Sequence, residues 1–381
     1  MAKQQAPTVP DLHGKTILIT GGNAGIGKET AVALARAGAS VIITARDAAK
    51  GKAALDEIRT RSGSGDVVVM DLDLASFASV REFASRYADA HASLDVLVNN
   101  AGLMLTSYRQ TVDGNETTFQ VNHLGPFLLT NLLRDPLVAA GDARVVNVSS
   151  DAHKQGGKTL DFDALQSPGG VNARNSMTVY GRTKLENILF TRELARRWAA
   201  DGVTTNAVHP GFVRSGFGRD GDGGKLFDVL MPVIQLIALS AEQGAYTSTY
   251  VASSPEVEGV TGKFFVKSKV VTPSAAAQDD AAARPPLGRL RRAHRPLHPR
   301  LNSPDRTGAT FPTYSGRSGA GSEEGRGKKE EGGQDSGRSG RRVGKRITSR
   351  MLVTPARSMV RRSMPMPRPP VGGRPNSSAR R

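Results

Sequence analysis

The sequence predicts an α/β fold, a single domain built on a doubly wound, seven-stranded parallel sheet. Three features predict it. Short β-branched runs alternate with amphipathic helical stretches between residues 15 and 266, the pattern of βαβ units around a parallel sheet. The runs are separated by stretches of helical length, which suit right-handed crossovers. A glycine cluster joins the first run to the first helical stretch.

The expected strands follow in order. Lys15–Thr20 holds Ile17-Leu18-Ile19 and ends at the glycines, and Ser40–Ala45 holds Val41-Ile42-Ile43. Asp66–Met70 carries three valines, while Asp95–Val98, Ala143–Ser149, Val203–Val208 and Lys263–Val266 complete the set. Continuous apolar runs of this length suit strands buried on both faces. The expected helices include Ile26–Ala37, Phe77–His91, Glu116–Leu133 and Ser176–Ala200. In such a sheet the binding crevice lies at the carboxyl ends of the strands.

Charge divides the chain. Residues 284–381 hold 24 Lys plus Arg against six Asp plus Glu, a net of +18 where the whole chain carries +17. Residues 1–283, with 28 basic and 29 acidic groups, stand at −1. The boundaries expected are an extension at 1–11, the domain at 12–283 and a low-complexity Arg/Pro/Gly-rich tail at 284–381. With no cysteine, disulfide and thiolate chemistry are excluded. No apolar run approaches the ~20 residues of a membrane span, and Met1–Pro10 lacks the apolar core of a secretory signal. A cytoplasmic protein is the expectation.

The first strand runs into Thr20-Gly21-Gly22-Asn23-Ala24-Gly25-Ile26-Gly27 and then a helix. Gly21, Gly25 and Gly27 permit a tight turn, close backbone approach to a pyrophosphate and close packing of helix on strand. The helix amino terminus offers N–H groups to the anion. This is the dinucleotide-binding arrangement of a Rossmann-type domain. Where many NAD sites place an acidic residue, the second strand here ends in Arg46, nineteen positions after Gly27. A guanidinium suits a 2′-phosphate, so NADP is expected over NAD. Lys28 is a candidate for added charge. The other reading of Arg46 is a solvated residue at a helix start.

Tyr180-Gly181-Arg182-Thr183-Lys184 sets a phenol and an ammonium one helical turn apart on one face. A phenol titrates near 10, and a neighbouring cation favours its phenolate. The spacing alone also occurs on solvated helices. Its context adds Asn99-Asn100-Ala101-Gly102 after the fourth strand, then Asn122, then Ser149-Ser150 after the fifth.

In this order the parts resemble the short-chain dehydrogenase/reductase family over residues 12–283. The segments Val146–His153 and His209–Ser215 are most similar to its retinol-dehydrogenase-like branch. The resemblance implies that Tyr180 gives or takes a proton, Lys184 lowers its pKa and holds the nicotinamide ribose, and Ser150 bonds the substrate oxygen. It implies a relay water at Asn122, a sheet and cofactor brace at Asn100, adenine at Asp73, and the nicotinamide amide or phosphate at Val213 and Ser215. Gly21, Asn23, Gly25, Ile26, Gly27 and Arg46 complete the cofactor set. The implied reaction moves a hydride between NADP(H) and a small-molecule carbonyl or alcohol, in a homo-oligomer.

Departures from the family pattern are Thr183 for a frequent serine, Gly22 for a frequent alanine, and a Ser150-to-Tyr180 interval lengthened around Ser167–Asn175, with Pro168-Gly169-Gly170 reading as a loop. The longer interval leaves Ser149 as the alternative to Ser150. His153 and His209 lack a ligand cluster and read as structural. Beyond Gly211, the loop Gly216–Gly224 and the apolar segment Lys225–Leu239 suit a lid over a lipophilic substrate. Core or subunit packing is the other reading of that segment.

The tail holds 12 of the 21 prolines and no sustained period, so disorder is expected. The alternative function is an NADP-binding sensor or a nucleic-acid-associated protein that uses the basic tail as an arginine-rich arm, but folded recognition motifs and interleaved aromatics are missing, and nucleic acid is not the expected partner. Its 21 Arg against three Lys also fit an out-of-frame reading of GC-rich DNA. Shifting the frame by one nucleotide from Arg284 permits a helix-forming sequence of the kind that closes such domains. A one-base shift near residue 284 is therefore the second reading of the tail.

Overall fold

The structure is a computed structural model describing residues 4–157, 171–172, 174–213 and 238–280. Ser215, the Gly216–Gly224 loop, Lys225–Ile237, Pro168-Gly169-Gly170 and the tail at 284–381 lie outside the described residues.

Seven parallel strands form the sheet: β1 Thr16–Ile19, β2 Ser40–Ala45, β3 Val67–Asp71, β4 Val96–Asn99, β5 Arg144–Val148, β6 Thr204–His209 and β7 Phe264–Val266. An eighth, β8 (Lys269–Val270), pairs antiparallel with β7, giving the order β3-β2-β1-β4-β5-β6-β7-β8. The order reverses between β1 and β4, so the crevice opens where those two strands end. The expected sheet is thus corrected by one edge strand. Its hairpin turns at Lys267 and Ser268, both at positive φ (51° and 61°). That is the type I′ geometry of two-residue hairpins. Lys-Ser lacks the Asn-Gly signature of such a turn; tertiary bonds hold it, Ser268 N donating to Thr247 Oγ1 at 3.3 Å and Gln4 Nε2 to Ser268 Oγ at 3.1 Å.

Both sheet faces are buried, by alternation along each strand. Ile17, Ile19, Val41, Ile43, Val96 and Val98 face one core with Leu34 of helix α1 (Gly25–Arg36) and Ile58 of α2 (Ala48–Ser62). Leu18, Ile42, Leu97 and Val145 face the other, with Phe83 and Tyr87 of α3 (Phe77–Ala90). Each such fully buried side chain contributes about 1.5–3 kcal/mol of transfer free energy.

The helix expected over Glu116–Leu133 is not continuous. Glu116 caps α4 (Thr117–Phe119) with both carboxylate oxygens, accepting from Thr118 N at 2.8 Å and Phe119 N at 2.7 Å. A π turn, Gln120–Leu124, then leads into α5 (Gly125–Leu132) and α6 (Arg134–Ala139). Such wide turns concentrate at functional sites, and this one contains Asn122. A 3-10 turn, Asp151–Gln155, follows β5, and α7 (Ser176–Arg197) returns the chain across the sheet. Helix α8 (Ala241–Ser253) opens with a capping box between Ser240 and Gln243.

Candidate active site

The glycine loop is laced to the end of β4. Thr20 Oγ1 accepts from Asn100 N at 3.0 Å and Ala101 N at 3.1 Å, while Asn100 Nδ2 donates to Thr20 O at 2.9 Å and Gly21 O at 3.3 Å. Only glycine fits at 27, where an added Cβ would stand 2.4 Å from Asn100 Nδ2 and 2.7 Å from Gly21 O. Gly22 is matched to a large neighbour: a methyl there would come within 2.6 Å of Ile43 Cγ2.

Helices α2, α3 and α8 begin under side-chain caps from Asp47, Ser76 and Ser240, but α1 begins at Ala24 with none. Its first N–H groups have no side-chain cap among the described residues. That opening, with Asn23 and Ile26 partly exposed at its rim, fits a pyrophosphate.

Arg46 is exposed at the end of β2 and makes no ion pair or hydrogen bond among the described residues. The neighbouring carboxylate, Asp47, accepts from Lys50 N at 3.0 Å as a helix cap. Lys28 differs from expectation: its ammonium lies 2.6 Å from Glu57 Oε2, so its charge is already balanced. Asp73 follows β3, with Oδ1 accepting from Ala75 N at 2.9 Å. Val213 and Ile26 converge on Gly244 of α8, where an added Cβ would meet Val213 Cγ2 at 2.5 Å and Ile26 Cγ1 at 3.2 Å. Ser215 lies outside the described residues.

Tyr180, Lys184, Ser150 and Asn122 meet at the carboxyl ends of β4 and β5. The Lys184 ammonium lies 5.4 Å from the centre of the Tyr180 ring and donates to Val148 O at 3.0 Å. It is 2% exposed and has no carboxylate partner among the described residues. Burial pushes its pKa down to about 8. A cradle for it is marked by Gly102, where a Cβ would stand 3.4 Å from Lys184 Nζ and 3.3 Å from Asn122 Oδ1.

Asn122 is locked in its π turn. Its Oδ1 accepts from Leu103 N at 2.7 Å, and its Nδ2 donates to Leu103 O at 2.8 Å and Thr183 Oγ1 at 3.1 Å. Thr183 in turn donates to Tyr180 O at 2.7 Å, so threonine serves at this position.

The two serines after β5 take different directions. Ser149 is 1% exposed and donates to Lys184 O at 2.7 Å, which fixes α7 to the sheet. The Ser150 side chain bonds Tyr180 instead, and its Oγ accepts from Ala152 N at 3.1 Å. Ser150, not Ser149, therefore faces the phenol. Burial drives the Tyr180 pKa upward, and the Ser150 bond opposes it. Burial thus opposes the phenolate that a neighbouring cation favours.

His153 and His209 hold the Ser150 turn. His153 Nδ1 bonds Ser150 O at 2.8 Å and Nε2 accepts from Ser274 N at 3.1 Å, while His209 Nδ1 accepts from Asp151 N at 3.3 Å. No metal-ligating cluster occurs among the described residues. Three contributors escaped the sequence reading: Gly181, His123 and Asn187. Their signals, a glycine after the tyrosine, a histidine after Asn122 and an asparagine three after Lys184, are local, but their partners are distant.

The profile of the short chain dehydrogenase family matches residues 15–161. Human retinol dehydrogenase 13 is 43% identical over 281 residues, covering 73% of this chain and 84% of the relative. Mouse retinol dehydrogenase 12 is 44% identical, covering 71% and 84%. A crystal structure of an uncharacterized protein from Mycobacterium paratuberculosis superposes with a TM-score of 0.57 at 34% identity, covering 73% and 94%. A short chain dehydrogenase from Burkholderia cenocepacia in complex with NADP gives 0.52 at 28%, covering 67% and 97%. The fold binds a nicotinamide cofactor, and no described helix is long and apolar enough to cross a membrane. The chain is a hydride-transferring oxidoreductase of the short-chain dehydrogenase/reductase family, in its retinol-dehydrogenase-like branch.

Proposed function

We propose that this oxidoreductase uses NADP(H) and acts on a carbonyl or alcohol of a lipophilic small molecule, with Tyr180 as the acid–base group. The observation that carries the reading is Lys184: a buried ammonium beside the phenol, with one acceptor among the described residues. Desolvating a charge without a counterion is costly, and ribose hydroxyls would supply the missing acceptors. When bound, the cofactor supplies or accepts the hydride.

The chain's own residues do the rest. Ser150 and Tyr180 bond the substrate oxygen, and the neutral phenol gives its proton as charge develops there. Lys184 and Asn122 refill it through water; in oxidation the same relay first carries the phenol's proton away, and the phenolate so formed takes the proton of the substrate hydroxyl. Gly21, Asn23, Gly25, Ile26 and Gly27 receive the pyrophosphate, Asn100 braces the loop, Asp73 meets the adenine, and Val213 with Ser215 meets the nicotinamide end.

The unpaired guanidinium of Arg46 supports NADP over NAD, since it meets a 2′-phosphate without first breaking an ion pair. Similarity to retinol dehydrogenases, together with the apolar segment Lys225–Leu239, supports a lipophilic substrate. A cytoplasmic setting is part of the proposal and rests on composition. The test follows NADPH oxidation at 340 nm with a panel of ketones and aldehydes. Turnover by the native chain and its loss in Tyr180→Phe is expected; equal rates in the two proteins would remove Tyr180 from the chemistry.

A further inference from the structure

Behind the lysine runs a buried polar chain that the roles above do not use. Asn187, 6% exposed on α7, donates from Nδ2 to Asn122 O at 3.1 Å and to Val148 O at 3.4 Å. Val148 O is the carbonyl that also receives the Lys184 ammonium. Asn187 therefore holds both the acceptor of Lys184 and the backbone of Asn122. Because two carbonyls fix the amide nitrogen, Oδ1 must face the other way, toward His123 Nδ1 at 3.1 Å.

That orientation settles the histidine tautomer: Nδ1 carries the proton and donates it. His123 is 8% exposed, and burial pushes its pKa down to about 4, so it stays neutral at working pH and Asn187 cannot turn. Aromatic rings hold it in place, with Phe119 at 5.6 Å, Phe127 at 6.2 Å and Phe190 at 6.1 Å between centroids.

We propose that Asn187, locked by His123, is a positioning residue that fixes Lys184 and Asn122 for proton transfer. The pair touches neither substrate nor cofactor. It acts by denying two carbonyls any freedom, so that the buried ammonium has one direction in which to point. The inference rests on the acid–base reading of Lys184.

The experiment separates packing from positioning. His123→Phe keeps an aromatic ring in an aromatic cluster but removes the donor; Asn187→Leu keeps volume but removes both amide bonds. Expected is a loss in kcat of about tenfold in each, with KM little changed, and a displaced pH profile. The double variant is no worse than Asn187→Leu alone, because His123 acts through Asn187. His123→Gln, which restores an N–H donor, recovers most of the rate.

Independently of turnover, the titration of Lys184 is followed by NMR of ε-13C-lysine, assigned with Lys184→Arg. It is displaced by about half a pH unit in His123→Phe. If both kcat and the lysine titration match the native chain in His123→Phe, the positioning role is overturned. If the titration moves but the native chain turns over no carbonyl or alcohol, the network stands and the hydride-transfer assignment of Lys184 is what fails.

Discussion

Gly181 and Ala152 touch so closely that a methyl group on Gly181 would lie 2.4 Å from the Ala152 carbonyl oxygen and 3.1 Å from Gly156 N. This contact sets α7 against the 3-10 turn that Ser150 caps. It determines whether Ser150 reaches the phenol one residue before Gly181. Backbone lies on both sides, so neither can yield by turning a side chain.

Gly181→Ala therefore separates α7 from the turn. A displacement of about 1 Å at reacting groups costs up to 100-fold in rate. We expect kcat/KM to drop at least tenfold, while NADPH affinity, read by fluorescence, stays within twofold because the glycine loop is untouched. Unaltered kcat/KM would show that the Ser150–Tyr180 bond tolerates the shift.

Arg46→Asp reverses the charge proposed to meet a 2′-phosphate. A charge-assisted bond is worth about 1.5–3 kcal/mol, so kcat/KM with NADPH falls by roughly tenfold to 100-fold, and the NADH value rises or holds. Steady-state rates with both cofactors decide it; an undiminished NADPH preference would place the selecting charge elsewhere.

Glu186 is 6% exposed, its Oε1 has no hydrogen-bond partner among the described residues, and burial pushes its pKa up to about 8. The unfolded chain ionises it in the ordinary carboxylate range. Stability from this group is thus full below that range and drains away as pH rises toward 8. Glu186→Gln cannot ionise, so its thermal midpoint should exceed the native one by on the order of 5 °C at pH 8 and match it at pH 4. A constant difference at both pH values would contradict a buried, titrating carboxyl.

The last described residues pack onto the domain. Ala277, in the 3-10 turn Ala275–Gln278, is fully buried beside Leu185 and Phe264, and Arg192 Nη2 lies 2.6 Å from Asp280 Oδ1. A chain ended after Ala283 should therefore unfold at the same temperature and bind NADPH with the same affinity as the full chain. A fall in midpoint of several degrees would make the tail part of the fold. Sequencing the gene around codon 284 tests the frame-shift reading directly.

Much of this was legible in the sequence because it rests on short-range rules. The strands declared themselves as apolar runs, since a parallel sheet covered on both faces needs apolar side chains at every position. Tyr180 and Lys184 were visible as a pair because one helical turn brings them to one face. The ion pair of Lys28 was not legible for the opposite reason: its partner, Glu57, sits 29 residues away on another helix. The β8 hairpin was hidden because Lys267-Ser268 turns under tertiary restraint rather than by its own propensity.

By itself, then, the sequence determined the α/β alternation, the glycine loop leading into α1 and the pairing of phenol with ammonium. These depend on periodicity and on the conformational range of single residues. Tertiary structure alone decided that the side chain of Ser150 rather than of Ser149 meets Tyr180, that Lys184 is desolvated beside the phenol, and that Asn187 and His123 stand behind them. Those outcomes depend on burial and on hydrogen bonds between segments up to 65 residues apart, and such energies exist only once the chain has packed.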